Sequence, residues 1–438
     1  MYLARHIDGE LMAWKNAKSR KPILLRGARQ VGKSSTVRHF ATNFDYYVEV
    51  NFDENPKLQN LFATGLDPIE LCEQLSAITN TPIIVGKTLL FFDEIQACIP
   101  AISALRYFYE KLPDLHLIAA GSLLEFALEQ LPSFGVGRIR SIFLYPFSFE
   151  EFLMASKENG LLKLLHKAAP DKPMSEISHQ KLKQYLKKFM IIGGMPEVVS
   201  QYILNGDILE VQRVLNDLVL SLEDDFAKYR EKVTPSRIRE VFSTVVQQIG
   251  NKFTYSYPHA TINNVQIKEA LNILILAGLI YPVTHSAATG IPLGAELNLK
   301  KVKYLILDTG IFQRILGLNI GDILLEDDIN VVNKGNIAEL FVGLELLKNA
   351  SFYHKNELYF WQRDSRNSQA EVDYLIQKND KIFPIEVKAG SKGKMQSLYL
   401  FLEEKKTDFG FRVSLENFSE MEKVKIYPLY AIKNLLQS

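Results

Sequence analysis

Over the first twenty residues, apolar positions recur at helical spacing (Leu3, Ile7, Leu11, Trp14), which predicts an amphipathic helix stopped by Lys21-Pro22. The pattern then changes. Ile23-Leu24-Leu25 reads as a short buried strand, residues 34–43 as a helix, and Tyr46 to Phe52 as a β-branched and aromatic strand. A mostly helical stretch runs to about Ala77, and Thr88-Leu89-Leu90-Phe91-Phe92 is a continuous apolar run, as expected of a strand buried on both faces. A helix over 101–112 and a strand from Leu115 to Ala120 complete the alternation. Strands interleaved with helices predict a doubly wound α/β domain with a parallel sheet over residues 1–150. Past Pro146 the periodicity is helical over 150–222, broken at Gly193-Gly194-Met195-Pro196. Helical segments over 228–283 end in a strand-like Gly278 to Val283, and a helix over 335–349 precedes strand-like runs at 358–362, 371–377 and 382–388. No internal repeat or low-complexity segment interrupts this order.

Composition narrows the class. The chain has 438 residues, 47% of them hydrophobic and 23% charged, which is the balance of a folded protein with several domains. Fifty-one basic residues against fifty acidic ones give +1, so no basic arm dominates the whole chain. Seven lysines lie within 161–188 against Asp171 and Glu176, and are expected to form a solvated helix face. Two cysteines, Cys72 and Cys98, exclude a disulfide framework and a cysteine-rich zinc site. With no signal-peptide pattern at Met1 and no apolar run near the ~20 residues of a membrane span, the expected location is cytoplasmic.

The most specific motif is Gly27-Ala28-Arg29-Gln30-Val31-Gly32-Lys33-Ser34, which fits G-x-x-x-x-G-K-[ST] between a strand and a helix. Glycines let successive backbone N–H groups turn toward phosphates, and the helix that follows, with Ser35 in its first turn, offers its positive end to the same anion. Lys33 is expected on the β- and γ-phosphates of ATP, and Ser34 on Mg²⁺. Asp93-Glu94 closes an apolar strand expected to lie beside the phosphate-loop strand. Asp93 would support the metal, and Glu94 would activate the attacking water. Ser122, at the end of the strand Leu115–Ala120, is the candidate γ-phosphate sensor. Arg138, with Arg140 second, is the candidate arginine for transition-state charge, acting within the chain or on a second copy of it.

The C-terminal third holds another set of charges. Asp373 lies in a strand, Glu386 and Lys388 project from one face of the next, and Glu339 sits on the helix upstream. These residues resemble the D…E-x-K signature of the restriction-endonuclease-like fold, and the resemblance implies metal-assisted hydrolysis of a phosphodiester, with Asp373 and Glu386 holding the metal and Lys388 positioning the water. The same residues also fit a remnant that binds nucleic acid without cutting it, or a cross-strand salt-bridge cluster.

The N-terminal motifs resemble those of the AAA+ ATPases. With Asp93-Glu94-Ile95-Gln96, Gly121-Ser122, Gly137-Arg138, Tyr145-Pro146-Phe147-Ser148-Phe149, Gly193-Gly194-Met195-Pro196-Glu197 and Leu307-Asp308-Thr309-Gly310, the chain resembles a prokaryotic branch of that family whose function is unknown. Ser34 stands where the branch usually has threonine, which keeps the hydroxyl. Residues 228–300 resemble a winged helix, with 263–277 as its recognition-type helix. Basic residues including Arg230 outnumber acidic ones there, and Pro258 interrupts the helix before it.

These resemblances imply four segments: a P-loop AAA+ core with a parallel α/β sheet (1–150), a helical lid (151–227), an α+β winged helix (228–300), and an α/β restriction-endonuclease-like domain (301–438). The implied function is a Mg²⁺-dependent ATPase coupled to DNA binding or cleavage. The alternative is an ATP-switched interaction or signalling protein whose C-terminal domain does not cleave. The expected partners are ATP, DNA, and a second copy of the chain through Arg138, with no membrane.

Overall fold

Strands buried on both faces are largely apolar, and β3 (Thr88–Asp93) is buried at every position, as is β4 (His116–Ala120). With β1 (Ile23–Arg26), β2 (Tyr46–Asn51) and β5 (Arg140–Phe143) they form a parallel sheet in the order β2-β3-β4-β1-β5. The computed structural model describes residues 1–131, 137–229, 232–256, 263–317, 335–363, 370–390 and 395–438. Arg230, Glu231 and Pro258 of the expected winged helix lie outside them. The described residues form two compact units. One is Met1–Pro146 with Leu276–Gly278 and Ser351–Lys355, and the other is Phe147–Ile275, Leu279–Ala350 and Asn356–Ser438.

In the first unit, helices Pro68–Thr79 and Ile99–Lys111 pack Leu71, Leu75, Leu105 and Phe108 against Leu90, Phe92 and Leu117 of the sheet. Phe52, Phe62 and Phe92 meet edge-to-face at 5.4–5.8 Å between ring centroids. The opening helix, His6–Lys15, buries the expected Ile7, Leu11 and Trp14. The short segment Ser351–Lys355 joins the edge of this sheet, where Phe143 N–H donates to the Phe352 carbonyl at 2.9 Å. One expectation is corrected. β3 does not lie beside β1, because β4 is inserted between them. Sheet order is a long-range property that the apolar runs do not encode.

The second unit begins with helices Phe149–Ala155, Asn159–Leu165, Glu176–Ile192, Pro196–Asn205 and Ile208–Asp224. Lysines 163, 167, 172, 181, 183, 187 and 188 are all exposed or half-buried, as a solvated face requires. Three of the quoted motifs interlock here. Phe147 N–H donates to the Gly194 carbonyl at 2.7 Å. The fully buried Asp308 carboxylate accepts from the N–H groups of Gly194 (2.6 Å), Gly310 (2.9 Å) and Ile311 (3.1 Å), and so caps helix Thr309–Ile315. A Cβ on Gly194 would lie 2.3 Å from the Phe147 carbonyl oxygen, and one on Gly310 would lie 2.3 Å from that of Ile192.

Helices Pro235–Gln247 and Asn264–Leu276 lead to the antiparallel pair β6 (Ile280–Ser286) and β7 (Leu297–Ile306). These strands do not stop as a wing. β6 pairs in parallel with β8 (Leu358–Gln362), which satisfies its free edge. β9 (Glu371–Lys378), β10 (Lys381–Val387), β11 (Gly410–Ser414), β12 (Ser419–Met421) and β13 (Val424–Pro428) continue one mixed eight-stranded sheet in the order β12-β13-β11-β10-β9-β8-β6-β7. The boundary expected at 300–301 therefore falls inside β7, and the one at 150–151 inside helix Phe149–Ala155. Helix Asn336–Lys348 is buried along most of its length. It approaches the sheet at Gly343, where a Cβ would lie 2.4 Å from the Tyr374 hydroxyl. Among the described residues, no helix is long and apolar enough to cross a membrane.

The close approach at Gly310 has a measurable cost. Gly310→Ala should lower unfolding free energy by about 1–3 kcal/mol, because the atom it meets is backbone. Gly160→Ala, in a helix with nothing within 4 Å of the new methyl, should raise it by up to about 1 kcal/mol. Urea unfolding of the two variants reads both, and effects of the same sign would contradict the packing described.

Candidate functional site

The loop between β1 and helix Lys33–Ala41 takes the backbone its glycines permit. Gly27 has φ +145°, Gln30 +62° and Gly32 +93°. A Cβ on Gly27 would lie 2.1 Å from the Leu144 carbonyl oxygen, so the loop is seated against the end of β5. Ala28 and Val31 are buried, Arg29 and Ser34 half-buried, and Gln30 and Ser35 exposed. Lys33 Nζ donates to the Gly27 and Ala28 carbonyls at 2.9 and 2.7 Å, curling the ammonium into the loop. Burial pushes the Lys33 ammonium down to about 8, against the opposing pull of Glu94 and Asp93. Two supports were not visible in the motif. The buried Arg5 donates to the Val31 carbonyl (3.0 Å) and the Tyr145 carbonyl (2.8 Å), pinning the loop. Gly278 approaches Ala28 so closely that a Cβ there would lie 3.1 Å from the Ala28 Cβ.

Although β4 separates their strands, Ser34 and Asp93 meet: Ser34 Oγ donates to Asp93 Oδ1 at 3.0 Å. Asp93 is buried, which raises its pKa, while the Ser34 hydrogen bond lowers it. Glu94 adopts a left-handed conformation at φ +49°, and its N–H donates to Asp93 Oδ1 at 3.1 Å. Its Oε2 accepts from Gln96 Nε2 (2.6 Å), Ser122 Oγ (3.1 Å) and Ser122 N–H (3.3 Å). The inserted β4 thus delivers Ser122 to the Glu94 carboxylate. Gln96 belongs to the quoted Asp93-Glu94-Ile95-Gln96 run but carried no role there. A Cβ on Gly121 would lie 1.9 Å from Gln96 Oε1, so the bare glycine leaves the space that the Gln96 amide takes in this arrangement. Arg38, one helical turn beyond Ser34, places Nη2 2.6 Å from Glu49 and 3.7 Å from Asp93. Ser34 and Asp93 are an all-oxygen pair at the end of the phosphate loop, which is the donor chemistry Mg²⁺ takes.

The arginines do not join this group. Arg140 is level with Ile23 in the β1–β5 pairing, while Phe143 is level with Arg26, where the loop begins. Arg140 therefore sits at the opposite end of the sheet, three residues or roughly 10 Å back along the strand. Arg138, two residues earlier, forms an ion pair with Glu110.

In the second unit, the sequence-identified carboxylates lie in one another's field, but among the described residues no three of them are grouped to hold an ion, and a cation that was not identified joins them. Lys303 on β7, 2% exposed, places Nζ 2.9 Å from Glu339 Oε1 and 2.6 Å from Glu371 Oε1. Asp373 Oδ2 accepts from Val387 N–H at 2.7 Å, and Lys388 donates to Glu386 Oε1. The second oxygen of Glu386 is buried without a hydrogen-bond partner. Burial and the neighbouring Asp373 push Glu339 and Glu386 upward, with Lys303 opposing in both, while burial raises Asp373. Around helix Asn264–Leu276, the exposed side chains are Asn264, Val265, Lys268, Glu269 and Asn272, a near-neutral set. Lys228 is paired with Asp225 (2.9 Å), and Lys252 donates to Gln362 (2.9 Å).

Residues 19–153 match the family model of the AAA domain. Residues 183–321 and 334–432 match two domains of unknown function, DUF8612 and DUF4143. No curated protein matches the chain. Among solved structures, a Walker-type ATPase of Pyrococcus abyssi is 15% identical, with 72% of this chain and 96% of that one covered and a TM-score of 0.46. The Aeropyrum pernix Orc1 protein in complex with DNA is 13% identical, covering 74% and 91%, at 0.24. Drosophila ORC bound to DNA is 13% identical, covering 71% and 85%, at 0.25. The N-terminal part of the chain is an AAA-type P-loop ATPase domain.

A proton should accompany nucleotide binding at alkaline pH. With Lys33 depressed to about 8, the free protein loses that ammonium as pH rises through 8, and bound phosphates restore it. Uptake approaching one proton per ATP is expected near pH 9 and almost none near pH 6. It is measured as the dependence of calorimetric binding enthalpy on the ionisation enthalpy of the buffer. Binding at pH 9 without uptake would show that Lys33 stays charged in the free protein.

Proposed function

We propose that the N-terminal domain binds ATP with Mg²⁺ and hydrolyses it, and that turnover switches an interaction made by the C-terminal half. The contact of Ser34 Oγ with Asp93 Oδ1 at 3.0 Å carries the first part, because it brings the loop hydroxyl and the strand-end carboxylate to one point. On binding, Lys33 exchanges its bonds to the Gly27 and Ala28 carbonyls for phosphate oxygens, and the loop N–H groups hold the same anion. Ser34 and Asp93 would hold the Mg²⁺, which would supply positive charge to the phosphates. Glu94 accepts the proton of the attacking water. Ser122 and Gln96 act through Glu94 as positioning residues, since both donate to its Oε2. Ser122 is thereby read as the support of the base rather than as a direct phosphate sensor. An arginine at the γ-phosphate comes from a second copy of the chain, because Arg138 and Arg140 lie at the far end of the sheet from their own loop. A switched interaction is preferred to DNA-coupled work because the outward face of helix Asn264–Leu276 is near-neutral, which is poor chemistry for a phosphate backbone.

Lys33→Ala should abolish ATP binding. Glu94→Gln should keep binding and lower kcat by about 10²–10⁴-fold, and Ser122→Ala by up to about 10²-fold through misplacement of the base. Duplex DNA should leave turnover unchanged. A wild-type rate in Glu94→Gln would overturn the assignment of the base, and stimulation by DNA would favour the DNA-coupled reading.

Turnover per subunit should rise with protein concentration. Mixing Arg138→Ala with Lys33→Ala subunits should recover activity that neither has alone, because each contributes what the other lacks. Concentration-independent turnover without recovery on mixing would remove Arg138 from the mechanism in trans.

A further inference from the structure

We propose that Lys303 is the resident cation of the C-terminal carboxylate cluster and stands where a divalent metal would otherwise sit, so that the native domain takes no metal there and does not cleave. The proposal is independent of the ATPase reading, whose residues lie in the other compact unit.

The donor set fits an ammonium. Lys303 Nζ lies between Glu339 of helix Asn336–Lys348 and Glu371 of β9, at 2.9 and 2.6 Å, which are N–H⋯O distances. Asp373 and Glu386 feel the same charge. A divalent metal would need three or more oxygens drawn to about 2.0–2.6 Å around one point. Among the described residues, no three acidic, histidine or cysteine side chains are grouped to hold an ion. One oxygen of each remaining carboxylate is already committed elsewhere. Asp373 Oδ2 takes the Val387 N–H at 2.7 Å, and Glu386 Oε1 takes Lys388.

Lys303 is also held in place. Its backbone is paired with Val283 of β6 on one side and bridges to Lys252 on the other. Its ammonium lies 5.2 Å from the centre of the Phe360 ring. The side chain is 2% exposed, so moving it aside would strand either an unsolvated ammonium or two bare carboxylates. Removing the ammonium would free the Glu339 and Glu371 carboxylates, which share the field of Asp373, for the oxygen-loving divalent ion that the lysine now replaces.

The test uses the full chain without nucleotide and Mn²⁺ as the probe. Binding is followed by electron paramagnetic resonance, and the thermal midpoint is recorded with and without the ion. Wild type should show no Mn²⁺ site that Asp373→Asn removes, and Lys303→Arg should behave as wild type. Lys303→Met should be less stable, gain one Mn²⁺ site at least about tenfold tighter than any in wild type, and recover its midpoint on adding the ion. Lys303→Met combined with Asp373→Asn should lose that site again. A wild-type Mn²⁺ site lost in Asp373→Asn overturns the proposal, and so does a folded Lys303→Met that gains none. If Lys303→Met does not fold, the wild-type and Asp373→Asn titrations decide: an Asp373-dependent site refutes the proposal, and its absence supports it.

Discussion

A charge taken out of water has to meet its counterpart inside the fold, and much of this molecule is arranged around that requirement. Removing one member of a buried pair typically costs about 3–5 kcal/mol, a large share of any domain's net stability. Arg5 meets it with two backbone carbonyls, one from the phosphate loop and one from the end of the sheet, so a single guanidinium ties the opening helix to the nucleotide loop. Asp308 meets it with three N–H groups drawn from two motifs more than a hundred residues apart. Lys303 meets it with two carboxylates, on a helix and a strand that no local interaction would bring together. In each case the ion pair or charge-assisted hydrogen bond doubles as a joint.

At the phosphate loop the same requirement leaves a poised arrangement. Lys33 is satisfied by carbonyls of its own loop, which are weaker partners than phosphate oxygens, so the side chain is matched yet exchangeable. Glu94 is held by Ser122 and Gln96 from above, while its left-handed backbone turns it away from the direction β3 would otherwise give it. Asp93 and Glu94 are adjacent in sequence but face different partners: one faces the loop hydroxyl and the other the end of β4.

What the residues disclosed in advance follows the range of the interactions concerned. The loop Gly27–Ser34 and the pair Asp93-Glu94 were readable because their chemistry depends on neighbours in sequence, and the strands at 358–362, 371–378 and 381–387 matched the apolar runs nearly to the residue. The insertion of β4 between β1 and β3 was not readable, since an apolar run looks the same in any slot of a parallel sheet. Lys303 was passed over because its partners lie 36 and 68 positions away, and a lysine in a polar hairpin reads as solvated. The hairpin itself looked like a wing because its local pattern carries no sign of β8, which arrives after residues 335–350. Arg5 was hidden for the opposite reason: it immediately precedes a helix whose apolar stripe already explained its neighbours.

The two units are interleaved along the chain rather than laid end to end, because Leu276–Gly278 and Ser351–Lys355 belong with the first 146 residues. During synthesis, the nucleotide domain therefore lacks the strip that bonds to Phe143, and the glycine that lies against Ala28, until most of the polypeptide has left the ribosome. A gene fragment stopped at 150 would lack both of these strips, and one begun at 151 would carry them without the sheet they pack on. A fragment that contains the nucleotide domain together with both strips that pack on it therefore runs through at least Lys355, and not only over the stretch that its motifs occupy.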